Sequence, residues 1–336
     1  MREHRPSAFR RWMIVLLAVI ALASLFLSLI LTGRIARQMA AVRPEAALSG
    51  ASARHVYVQL SNLDASFRDG FLTGARKAAD ENGLALEVAN VAGTAGAEEY
   101  ASLLEAAVDA RVDGIILQPV WKDSLAGVVT RAQEKEIPVI TVEEDMPESN
   151  RVCYVGINSF EFGTLAARLA GEATAYDADV AVVHRGLNQG NDTESSLRLG
   201  GLRDVADQYP TLRITRVEQG TNAVFGSEDV FRDILTNNPG VSVLVCMNAR
   251  DTVAAAQTVL DLNRLRFVQI IGADLTPEIQ ALLDKRVLYG TIARNPEHVG
   301  YQSVQAMARV LEGKSVPDFI DVGLKTVRSV QRAVTR

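Results

Sequence analysis

Three carboxylates in a row, Glu143, Glu144 and Asp145, close the β-branched run at residues 137–145, IPVITVEED. Carboxylates in pairs serve two broad chemistries. Set across a substrate they act as acid and base in hydrolysis, and set in a pocket they accept hydrogen bonds from hydroxyl groups. Successive strand residues face opposite sides, so Glu143 and Glu144 are badly disposed for the first task. A carbohydrate-acting hydrolase therefore comes last among the readings. The glycine-bearing stretches GTAGAEEY and GLNQG lack the spacing that cradles phosphate, and no G-x-S-x-G elbow occurs. Cys153 and Cys246 each sit in an apolar run, and the four histidines are scattered, so no metal site is expected. The chain reads as a non-enzyme without a cofactor.

The elements that must position these carboxylates are legible in the pattern. Ten short β-branched runs, from HVYVQLS to LYGTIARNP, alternate with stretches of helical period such as Phe67, Phe71, Ala75, Ala78 and Ala79. Continuous apolar strands with helical crossovers imply parallel sheets covered on both faces. The 336 residues, 48% hydrophobic, exceed one ordinary domain, so two doubly wound lobes are expected and a (β/α)8 barrel is the alternative. IPVITVEE and VCYVGIN are separated only by DMPESNR, too short for a crossover helix, and the passage between lobes is expected there.

Ligands in such sheets sit beyond the carboxyl ends of the strands. Polar groups accumulate at those ends: Ser61, Asn62 and Asp64, then Gln118, Asn158 and Ser159, Asn248 with Arg250 and Asp251, Asp274, and Arg294 with Asn295. Trp121, in QPVWKDS, reads as a rim residue ahead of a stacking platform. The net charge of -5 argues against a nucleic-acid partner, which calls for a basic stripe or patch.

Residues 12–31, WMIVLLAVIALASLFLSLIL, carry no charge. At 1.5 Å per residue they span the roughly 30 Å hydrocarbon core of a bilayer. Arginines on both sides place the N-terminus inside. An uncleaved anchor is expected over a cleaved signal segment, whose apolar stretch is typically only about 7–15 residues. Residues 1–11 then form a cytoplasmic tail and 32–53 a linker.

SFRDGFLTGARKAADENG, VDGIILQP, EIPVITVEED, YVGINSFEFGTLAARL, SLRLGGLRDV, IIGADLTPEIQALLDKRVLYGTIARNPEHVGYQSVQAM and FIDVGLKTV, in that order, resemble the periplasmic sugar-binding proteins of the ribose and galactose type. The resemblance implies a type I periplasmic-binding fold, two α/β lobes joined by three crossovers, with residues 54–157 and 295–322 in the first and 158–294 and 323–336 in the second. It implies ligand contacts at Asp64, Phe67 (as a stacking ring), Arg68, Glu143, Glu144, Arg198, Asn248, Asp274 and Arg294, with Arg198 or Arg294 bridging to an acid when the cleft closes. The chain departs from the ribose-type pattern at Glu143-Glu144, where Asp-Arg is usual, at Arg68, where a second aromatic is usual, and at Arg294, where Gln is usual.

The function so implied is that of an extracytoplasmic solute-binding protein, anchored in the cell membrane, that closes its lobes on a small sugar or polyol. It would deliver the ligand to an ABC transporter permease or report it to a membrane sensor kinase. An anionic or phosphorylated solute is the alternative ligand, suggested by the arginines and opposed by Asp64, Glu143 and Asp274.

Overall fold

The computed structural model describes residues 53–61, 65–89, 91, 96–184, 193–220 and 227–329. The expected anchor, at residues 12–31, and the candidate ligand residue Asp64 lie outside them. Among the described residues no helix is long and apolar enough to cross a membrane.

Two six-stranded sheets are built in chain order. The first holds β1 (His55–Gln59), β2 (Ala85–Val88), β3 (Gly114–Leu117), β4 (Val139–Val142), β5 (Cys153–Gly156) and β11 (Phe319–Asp321), in the order β11-β5-β4-β3-β1-β2. The second holds β6 (Ala178–His184), β7 (Leu212–Gln219), β8 (Val241–Cys246), β9 (Gln269–Ala273), β10 (Gly290–Ala293) and β12 (Lys325–Arg328), in the order β12-β10-β9-β8-β6-β7. The strand order repeats, so each position in one sheet has a counterpart in the other: β4 answers to β9, and β5 to β10. All neighbours are parallel except β10 and β12.

Helices α1 (Ala65–Asn82), α2 (Ala97–Asp109), α3 (Lys122–Glu134), α4 (Ser159–Thr174), α5 (Thr193–Ala206), α6 (Ser227–Asn237), α7 (Ala249–Asp261), α8 (Pro277–Asp284) and α9 (Pro296–Leu311) supply the covering layers. Alternation along the strands divides each core in two. Val56, Val58 and Ile116 face α1 and α9, while Tyr57, Ile115 and Leu117 face α2 and α3. Both faces are apolar, which is why β3, β4 and β5 are buried at every residue.

The chain passes between the sheets after β5, after β10, and between β11 and β12. The residue after each of the first two passages does local work: Asn158 caps α4 by accepting from the Glu161 amide, and Asn295 caps α9 by accepting from His298. Each of these helices packs closely on a partner, α4 on α5 and α9 on α1. A Cβ on Gly163 would collide with the Arg198 carbonyl oxygen, and one on Gly300 with that of Phe71, so glycine is what permits the approach.

The passage expected at DMPESNR is corrected by the structure. β4 and β5 are parallel neighbours in one sheet, Ile140 pairing with Cys153 and Val142 with Val155, and the chain leaves that sheet only after β5. Parallel neighbours ordinarily need a crossover of a dozen residues or more. Here residues 143–152 return without a helix, held by Arg151. Its side chain is 6% exposed and forks onto Asp145, Nη2 to Oδ2 at 2.8 Å, while Nη1 reaches Asp318 just ahead of β11. One member of the opening carboxylate cluster is thus an internal staple. β11 and β12 were not among the ten expected strands; they are short, and neither has a buried residue, so they lack the apolar signal.

Candidate functional site

The carboxyl ends of both sheets border one cleft of about 1360 Å³, larger than the roughly 300–1,000 Å³ of an ordinary small-ligand pocket. Its walls come from the loops and first helical turns after β1, β3 and β4 on one side and from α4, α5 and the segments after β8 and β9 on the other, with Arg294 between.

Glu143 and Asp274 are counterparts across the repeat, and their backbones match. Each follows its strand in the left-handed region at φ 67°, uncommon for residues other than glycine. The Glu143 amide donates to Val155 O at 3.3 Å and the Asp274 amide to Ile292 O at 2.8 Å. Their carbonyls are also held alike: Tyr154 Oη donates to Glu143 O at 3.1 Å, and Thr291 Oγ1 donates to Asp274 O at 2.8 Å. These bonds hold the kink that turns both carboxylates into the cleft.

Arg294 joins them. Its Nε pairs with Asp274 Oδ1 at 2.9 Å, its Nη1 pairs with Glu143 Oε2, and its guanidinium lies 4.7 Å from the centre of the Phe67 ring. The Glu143 side chain is 5% exposed, so its charge needs this partner. Arg294, one of the two arginines expected to bridge to an acid on closure, is paired here with two.

Arg198, on α5, donates from Nη1 to Met247 O at 2.8 Å and lies 4.7 Å over the Phe162 ring, with Glu194 one turn earlier at 3.9 Å. Asn248 lines the cleft while capping α7: its Oδ1 accepts from the Asp251 amide at 2.9 Å, and its Nδ2 donates to the Asp251 carboxylate. Glu144 faces Lys122 at 3.6 Å. Ser61 donates to Gln118 Oε1 from both its amide and its hydroxyl, at 2.9 and 3.0 Å.

Of the candidate residues, Glu143, Glu144, Arg198, Asn248, Asp274 and Arg294 border the cleft. Phe67 does not: its ring is buried beneath Arg294 and against Phe71 at 6.0 Å. Arg68, half-buried on α1, is also off the cleft wall. Aromatic surface comes from residues outside that set. Trp121 lines the cleft with its ring edge-on to Tyr100 at 5.2 Å, and Phe162 lines it beneath Arg198. Tyr100 donates from Oη to Gln118 O at 2.7 Å, and burial pushes its phenol well above the ordinary tyrosine value. Both positions follow a strand end, a signal the sequence carried in QPVWKDS and in NSFEF.

The charge balance of the lining is acidic. Asp123, Glu143, Glu144, Asp145, Glu148, Glu194, Glu228, Asp274 and Glu278 stand against Lys122, Arg198, Arg250 and Arg294. Among the described residues no group of three or more His, Cys, Asp or Glu is arranged to hold a metal ion.

A profile of the periplasmic binding protein domain matches residues 56–315. The chain is similar to the ribose import binding protein of Salmonella typhimurium, 24% identical over 274 residues that cover 80% of this chain and 88% of that protein. Among solved structures it is similar to a glucose-galactose binding protein from Geobacillus stearothermophilus, 31% identical with a TM-score of 0.76, covering 82% of this chain and 98% of that one. It is also similar to a chain of a XylFII-LytSN complex, 26% identical with a TM-score of 0.72, covering 82% and 98%.

Proposed function

The chain belongs to the periplasmic binding protein family, and we propose that it binds a neutral sugar or polyol in the cleft between its lobes and passes that event on by lobe closure. The relatives are binding proteins, so the chain is a binder and not an enzyme. The observation that carries the ligand class is the lining itself: inward-turned carboxylates, Asn248 and two arginines can exchange hydrogen bonds with vicinal hydroxyls, and Trp121 and Phe162 offer apolar surface to a sugar's C–H face. Relatives named for ribose and for glucose and galactose support it. The excess of carboxylates sets a negative potential that opposes an anionic or phosphorylated solute.

We take residues 54–157 with 295–322 as one lobe and 158–294 with 323–336 as the other, a division that the membership of the strands in two sheets supports. A hinge at the passages between them lets binding energy shift an open-to-closed population. Two receivers fit such a signal, an ABC transporter permease or a membrane sensor kinase. Likeness to a chain solved in complex with a second protein supports a fixed protein partner, and residues 12–31 would hold the binding domain outside the cytoplasm beside it. The anchored full chain is expected to sediment with membranes and keep its original N-terminus. A soluble product whose sequence starts beyond residue 31 overturns the anchor.

The ligand class is tested by a thermal-shift panel of residues 50–336 against pentoses, hexoses, polyols and sugar phosphates, with calorimetry on each hit. A true ligand at 100 times its Kd adds about 2.7 kcal/mol of stability, and the hit is expected among the neutral compounds. A response to sugar phosphates alone reverses the charge argument.

A further inference from the structure

We propose that Arg294 clasps the two lobes together in the ligand-free protein and thereby sets the resting angle of the cleft. The residue lies in a passage between the sheets: β10 ends at Ala293, and Asn295 already caps α9 on the first sheet. Its backbone is therefore at a hinge, while its guanidinium takes one acid from each lobe, Glu143 after β4 and Asp274 after β9. Phe67, from α1 of the first lobe, fixes the plane of the fork.

Opening the lobes must break one arm. The three charged side chains are no more than 18% exposed, so the arms are weakly screened, and losing the Glu143 arm strands a carboxylate that is 5% exposed. Nor can the lobes absorb the motion internally. The contacts of α4 on α5 and of α9 on α1 are backbone-close at Gly163 and Gly300, which leaves the three passages as the places where the chain can turn. A pair of acids related by the repeat and kinked alike, sharing one cation, is the arrangement that converts a side-chain contact into a preferred angle. The clasp requires no sugar, so it stands or falls apart from the ligand assignment.

The test is a spin-label distance measured without ligand in the full chain. Cys153 and Cys246 are buried, so labels go to Ala126→Cys and Glu278→Cys, exposed positions on opposite walls of the cleft. Arg294→Gln is expected to lengthen and broaden the distance by several ångströms, and Arg294→Lys, which keeps the charge and loses the fork, to fall between. An unchanged distribution in folded Arg294→Gln overturns the clasp. Should that variant fail to fold, Glu143→Gln and Asp274→Asn each break one arm. Lengthening in both supports the clasp, and two unchanged distributions overturn it.

Discussion

Replacing Arg151 by alanine is expected to lower the unfolding free energy by about 2–3 kcal/mol and to leave ligand affinity unchanged. Removing one partner of a fully buried ion pair costs about 3–5 kcal/mol. Here the guanidinium is 6% exposed and Asp145 24%, but Asp318 is 82% exposed and is rehydrated when its partner goes, which brings the figure down. The lost stem packing and the bond from Nη1 to Asp318 O at 3.1 Å add to the cost. Hydrogen bonding from Arg151 also holds the Asp318 carboxyl below its usual value. A depressed carboxylate contributes stability above its unfolded pKa and loses it as pH falls through the folded one. Urea titrations should therefore show the gap between wild type and Arg151→Ala narrowing below about pH 4. A gap that widens in acid, or a substitution that costs nothing at neutral pH, would remove the staple from the account of how β4 reaches β5.

That connection also shows where sequence reasoning stops. Ten apolar runs became the first ten strands: most are buried on both faces and announce themselves through unbroken Val and Ile, while the more exposed β2 and β7 are carried by the runs LALEV and LRITRV. DMPESNR is too short for a helix, as its length predicts, but it is not a passage between lobes. What lets it return to the same sheet is an ion pair with Asp318, 167 residues away, and no local pattern reports it. β11 and β12 escaped for a related reason: FID and KTVR are three and four residues long and mix charged with apolar residues, so they form no apolar run. In the cleft, strand ends pointed to Glu143, Glu144, Asn248, Asp274 and Arg294. They could not tell that Phe67 lies under Arg294 while Trp121 takes a place on the wall, since ring placement is decided by packing between elements distant in the chain.

Replacing Asp274 by alanine is expected to weaken binding of the ligand found in the panel by about 2–5 kcal/mol, tens- to thousands-fold, because it removes a largely buried charged acceptor from the cleft wall together with one of the two acids on Arg294. Arg198→Ala should fall in the same range: its guanidinium spans Met247 O, Phe162 and Glu194 on the second wall. Unchanged affinity in both would sink the cleft assignment. Asp274 has two ways to act, and they separate experimentally. It can accept from the ligand directly, or it can act through Arg294, to which it is bound at 2.9 Å. A double-mutant cycle with Arg294→Ala decides between them by calorimetry. If Asp274 acts only through the arginine, Asp274→Ala costs nothing further once Arg294 is gone. If its carboxylate touches the ligand, most of the loss persists in the Arg294→Ala background. The left-handed kink at Asp274, matched at Glu143 by the same pair of bonds, sets both residues on the cleft wall, so the persistent loss is the expected result.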